Sequence, residues 1–304
     1  MQRAIGRSVD MPLFAFRQRL MPMLRRAIDA VLKEPAIEFS SPLAKGVDQA
    51  WLDASTCRNC GEILATPYCG QCGQKAAARL AWHDTVRESW ERLRLFEGQM
   101  LGTLARLVLT PGRVAQEYVM GRRSANMHPL KLLVALVAIL ALMLAANGYF
   151  GHYAFRGRNA DVDLMAARVM TYANWSFTLG IVAIYVGSWS VLRRRLGYNA
   201  IEHAVLSIYA QSVILGIIVL NMLPTLIWRD PAFVLWHKSA SQYYVPAVKL
   251  LVVAAAYKQF FLLKIRTDWP RLLLACVIFA GVNWLLLRLY AFLILWLVTA
   301  RPVP

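Results

Sequence analysis

Five long apolar runs constrain this chain more than any other feature in it. They cover about residues 130–150, 172–192, 201–223, 245–263 and 272–299. A helix of about 20 apolar residues crosses the hydrocarbon core of a bilayer. The runs therefore imply an all-α polytopic membrane protein with about five transmembrane helices. Composition agrees, with 58% hydrophobic and only 17% charged residues, against about 25% charged in a soluble domain. The fourth run is the least apolar, because it carries Lys249 and Lys258.

The charge is uneven, with 34 Lys and Arg against 17 Asp and Glu, a net of +17. Such a balance points to nucleic acid or to anionic lipid. The basic residues flank the apolar runs, as orientation in a membrane requires, so the bilayer is the expected partner and nucleic acid is not. With the N-terminus inside, the inner flanks hold Arg113, Arg122, Arg123, Lys131, Arg193, Arg194, Arg195, Lys264, Arg266 and Arg271. The outer flanks hold fewer cations. Five spans then leave the C-terminus outside. The start, MQRAIGRSVDMPLFAFRQRL, has apolar stretches broken by arginine, and no signal peptide is expected in it.

Residues 57–74, CRNCGEILATPYCGQCGQ, hold four of the five cysteines. Two C-x-x-C pairs, each followed by glycine, suit a tetrahedral site for one ion. Gly61 and Gly73 are placed where such turns demand positive φ. The expected cofactor is structural Zn²⁺ held by Cys57, Cys60, Cys69 and Cys72, and spacing alone leaves iron open. Four cysteines leave no open position for catalysis, and thiolates survive best in a reducing compartment. Cassette and charge bias both place the N-terminus in the cytoplasm, with the bundle in the cell inner membrane.

Four regions follow. Residues 1–56 read as an N-terminal extension, with an amphipathic leader at 11–34 and a linker at 33–46. Residues 57–74 are the zinc ribbon. Residues 75–128 read as short juxtamembrane interfacial helices broken at Thr110-Pro111-Gly112 and ending near Gly121. Residues 129–304 form the transmembrane bundle.

The cassette, TPGR (110–113), GRRSANMHPLKLL (121–133) and YNAIEHAVLSIYAQ (198–211), taken in order, resemble a bacterial family of zinc-ribbon membrane proteins catalogued as domain of unknown function 3667. The resemblance covers roughly residues 55–265. It implies a cytoplasmic-membrane location and a zinc ribbon, and implies no reaction.

Polar side chains inside spans are costly and mark functional candidates. Glu202, His203, Gln211, Lys258, Asn283 and Arg288 form the candidate intramembrane polar set. Counting helical rise places Glu202 and His203 at the inner edge of the third span, within reach of Lys258 and Gln259, and Gln211 and Asn283 near the midplane. A plainer reading has Glu202 and His203 capping the third span, and Gln211 and Asn283 bridging helices. No nucleophile–base pair appears, so an enzyme is not expected. A membrane-anchored scaffold or regulator, with a protein partner at the ribbon or a second copy of the chain, is the first expectation. A transporter for a small solute or lipid is the alternative.

Overall fold

The structure, a computed structural model, describes residues 49–81, 106–146 and 176–300. The leader at 11–34, the linker at 33–46 and most of the first two juxtamembrane helices lie outside the described residues. Among the described residues the fold is all helical, without strands: α1 (Gln49–Leu52), α2 (Pro111–Val119), α3 (Pro129–Ala146), α4 (Ser176–Leu192), α5 (Ala200–Ile227), α6 (Pro231–Phe260) and α7 (Ile265–Ala300).

Local chemistry sets the helix ends. Thr110 interrupts the helical path, and α2 restarts at Pro111, where a proline costs no hydrogen bond. Asn199 caps α5 by accepting from the backbone N–H of Glu202 at 2.9 Å, while Glu202 accepts from the N–H of Asn199 at 2.6 Å. This reciprocal capping box satisfies two otherwise orphaned donors. Asp230 accepts from Phe233 N–H at 3.0 Å and starts α6, with Pro231 in its first turn.

Three helices, α3, α5 and α7, are long and apolar enough to cross a membrane. The described part of α4 is apolar but shorter, and residues 172–175 of the expected second span lie outside the described residues. α6 has the length, but Lys238, Lys249 and Lys258 and its hydroxyl and amide side chains dilute its apolar stretch. The apolar stretch of α5 is 72% buried and that of α7 only 17%. α5 is thus the central helix, touching α2, α3, α4 and α6, while α7 packs chiefly on α4 along one side of the bundle. Leu273, Leu274, Val277, Trp284 and Phe292 leave the outer face of α7 exposed and apolar.

Close approach is built with glycine. A Cβ at Gly180 of α4 would stand 2.9 Å from Cδ of Gln211 on α5, and one at Gly187 would stand 2.7 Å from the Tyr257 hydroxyl on α6. That hydroxyl donates to the Ile184 carbonyl at 2.6 Å. Small residues let membrane helices approach this way when no hydrophobic drive separates helix from lipid. Gly112 is the tightest case. Its Cβ would fall 2.7 Å from both Gln259 Cβ and Phe260 N, and its own N–H donates to Gln259 Oε1 at 3.0 Å. The first turn of α2 is thereby seated on the last turn of α6.

One end of the bundle gathers the N-termini of α3, α5 and α7, the C-termini of α4 and α6, and α2. Arg195 ties two of its loops together. It donates to the carbonyls of Phe261 (2.8 Å) and Leu262 (3.1 Å) and forms a two-pronged pair with Asp268 at 3.1 and 3.0 Å. The cysteine cassette sits at this same end.

Candidate metal centre and its docking site

The cassette is one local structure made twice, twelve residues apart. Cys57 N–H donates to the Glu62 carbonyl at 2.7 Å, and Cys69 N–H to the Gln74 carbonyl at 2.8 Å. Gly61 N–H donates to Cys57 O, and Gly73 N–H to Cys69 O, each at 2.9 Å. Leu64 N–H reaches Ser55 O, and Ala76 N–H reaches Pro67 O. Isolated bridges Thr56–Ile63 and Tyr68–Lys75 close the two turns. Gly61 and Gly73 take φ of +83° and +68°, as the spacing expects.

Each turn contributes two thiols, and the four Sγ atoms lie within 4.8 Å of one another. Cys57 and Cys72 are 3.6 Å apart and Cys60 and Cys69 are 3.5 Å apart. Four thiolates held at about 2.3 Å around one tetrahedral ion stand about 3.8 Å apart, so the donors fit a single ion. The Cys72 thiol is brought down to about 7, chiefly by the backbone N–H of Gln74. That N–H stabilises the thiolate a metal needs. Cys276, the fifth cysteine, is buried within the first half of α7.

Gln74 also fastens the cassette to the bundle. Its Nε2 donates to the Gly121 carbonyl at 2.7 Å, and its Oε1 accepts from the N–H groups of Arg123 (3.1 Å) and Ser124 (2.8 Å). On the other flank, the Arg58 guanidinium lies 3.8 Å over the Trp51 ring, and Trp51 Nε1 donates to Met120 O at 3.4 Å. The extended strap 75–81 then crosses to the start of α5. Arg123 Nη2 donates to Ala78 O, Arg79 Nη2 to Gly197 O at 2.6 Å, and Asn199 Nδ2 to Leu80 O at 3.2 Å. Arg79 Nε stands 3.4 Å from Glu202 Oε1.

Glu202 and His203 are both fully buried. The Oε1 of Glu202 has Arg79 as its charge partner but no aligned hydrogen bond. His203 Nδ1 pairs with Ser188 Oγ at 2.9 Å among the rings of Trp189 and Phe261, and its Nε2 has no hydrogen-bond partner. Lys258 is buried at the end of α6, and Gln211 is buried against Gly180. Asn283 is half-buried on α7, whereas Arg288 is exposed, with its guanidinium 5.3 Å over the Trp284 ring. The buried members therefore lie on α5 and α6, apart from the α7 pair. Sequence reasoning missed Arg79, Gln74 and Arg106. The first two act across long separations that periodicity does not reveal.

Arg106 centres a second network beneath the cassette. It pairs with Glu117 at 2.6 Å and donates to Asn126 Oδ1 at 2.9 Å, with Arg122 at 3.9 Å from the same carboxylate. Tyr209 of α5 donates to Met127 O at 2.6 Å.

Residues 97–141 match the family model DUF3667, a protein of unknown function. The DUF3667 segment holds the Arg106–Glu117–Asn126 network, α2, the turn that receives Gln74, and most of α3. The cysteine cassette precedes it. No curated protein and no solved structure matches the chain.

Proposed function

We propose that this chain is a multi-pass protein of the cytoplasmic membrane, crossing it five times, with a structural zinc site on the cytoplasmic face. In that role it is a membrane-anchored scaffold or regulator. The observation that carries the proposal is the docking of a closed four-thiol site on the bundle through Gln74. A closed site has no coordination position for substrate, so its value lies in the surface it fixes. Ile63 and Tyr68 of the cassette are 72% and 55% exposed. Further support for five crossings comes from the five helices α3 to α7, whose ends alternate between the cassette side and the opposite side. Replacing Cys57 and Cys60 with Ser should abolish zinc content in the purified protein, and retention of full zinc contradicts the metal assignment. Pull-downs from membranes should recover a partner from the intact chain and lose it with the double Ser variant. Recovery that is the same in both sinks the scaffold reading.

A second reading, transport of a small solute or lipid, draws on the buried Glu202, His203, Gln211 and Lys258. Each buried polar group in lipid carries a cost that function can justify. Flux in proteoliposomes that is unchanged by Glu202→Gln and Lys258→Met would set this reading aside.

A further inference from the structure

The cassette has little core of its own. Among its thiols only Cys57 and Cys69 are buried, and the stretch 61–68 is mostly exposed. A fold this small takes most of its folding free energy from the metal. Gln74 belongs to that fold twice. Its carbonyl accepts the Cys69 N–H, and its N–H supports the Cys72 sulfur. The same residue is the one whose side chain grips Gly121, Arg123 and Ser124. Five residues later Arg79 meets Glu202, a carboxylate with no exposed surface and no other cationic partner within ion-pair distance among the described residues. Metal ligation, cassette docking and the neutralisation of a buried charge are thus linked through one short stretch, residues 72–79.

From this we infer that the loaded cassette is a clasp. Metal holds the second turn, the turn holds Gln74 on the Gly121–Ser124 loop, and the strap is thereby kept across the N-terminus of α5 with Arg79 on Glu202. Loss of the metal releases the strap and opens this end of the bundle to water at Glu202. A buried carboxylate stripped of its counter-charge is strongly unfavourable, so the opening proceeds to hydration of Glu202. Metal occupancy becomes a switch on the cassette face of the membrane bundle. The inference rests on the metal reading above and goes beyond it, because a merely structural site would melt without consequence for α5.

The test is backbone hydrogen exchange on the full chain in lipid nanodiscs, loaded with Zn²⁺ and then stripped by chelator. Metal content is measured on the same samples. Stripping should speed exchange about tenfold or more in peptides covering 75–81 and 197–203, while 205–216 stays protected. Gln74→Ala, which leaves all four thiols in place, should keep its zinc and still show the fast exchange. Gln74→Glu keeps the acceptor for Arg123 and Ser124 and loses the donation to Gly121, and should give intermediate rates. The clasp is overturned if stripping loosens 57–74 alone, or if both Gln74 variants exchange as the parent does. If the chain takes up no Zn²⁺ at all, the metal reading fails with it. Uptake without a response at 75–81 and 197–203 sinks the clasp only.

Discussion

Gly112 and His128 show how single residues carry the docking of the DUF3667 segment. Gly112→Ala places a methyl group inside the contact with the last turn of α6. Overpacking of this kind costs about 1–3 kcal/mol. The expected result is a lower thermal midpoint in nanodiscs, with Gly70→Ala as the control, since a Cβ at Gly70 meets nothing within 4 Å. His128 packs edge-on against Tyr118 with ring centroids 5.8 Å apart. Burial, followed by the charges of Lys131 and Arg123, brings it down to about 4. An unfolded histidine takes its proton near 6.5. The unfolded state therefore binds more protons between pH 6.5 and about 4, and stability falls as pH drops through that window and is flat above it. Thermal midpoints compared at pH 7 and pH 5 should fall further for the parent than for His128→Gln. Equal falls would show that His128 is not the group responsible.

Among elements, the cassette and α5 were the most legible, for different reasons. The repeated C-x-x-C-G pattern leaves one plausible geometry, and the positive φ of Gly61 and Gly73 bears it out. The start of α5 was legible in part, since Glu202 reads as a cap of the third span, whereas its partner, the N-cap Asn199, is seen only in the structure. Asn199→Ala should cost about 1 kcal/mol, measured as a lower denaturation midpoint, and an unchanged midpoint would remove the cap from the stability of this end. Helical rise sets an expected depth along a span, with Gln211 and Asn283 at similar levels. Rotation about the helix axis was not readable. α5 and α7 are apolar on nearly every side, so no amphipathic stripe tells which face is inward. For that reason Gln211 lies inside against Gly180, while Arg288 faces outward on α7. The strap was illegible because Arg79 and Glu202 are 123 positions apart, and neither residue type predicts the other.

At the scale of the whole molecule, the cassette, the Arg106–Glu117 network, the Arg195–Asp268 bridge and the Arg79–Glu202 pair all lie at one end. The opposite end of α5 and α6 carries the exposed aromatics Trp228, Trp236 and Tyr243, residue types that favour a membrane–water interface. The two ends thus differ, one basic and carrying the four-cysteine cassette, the other aromatic. Under the proposed five crossings, the C-terminus falls on the face away from the cassette. The most direct measurement is compartment mapping in intact cells, with one reporter fused after Pro304 and thiol labelling of the metal-stripped cassette cysteines. The expected result is a reporter active only outside the cytoplasm, and cassette thiols that react only after the membrane is made permeable to the label. A cytoplasmic reporter, or thiols labelled from outside, would contradict it.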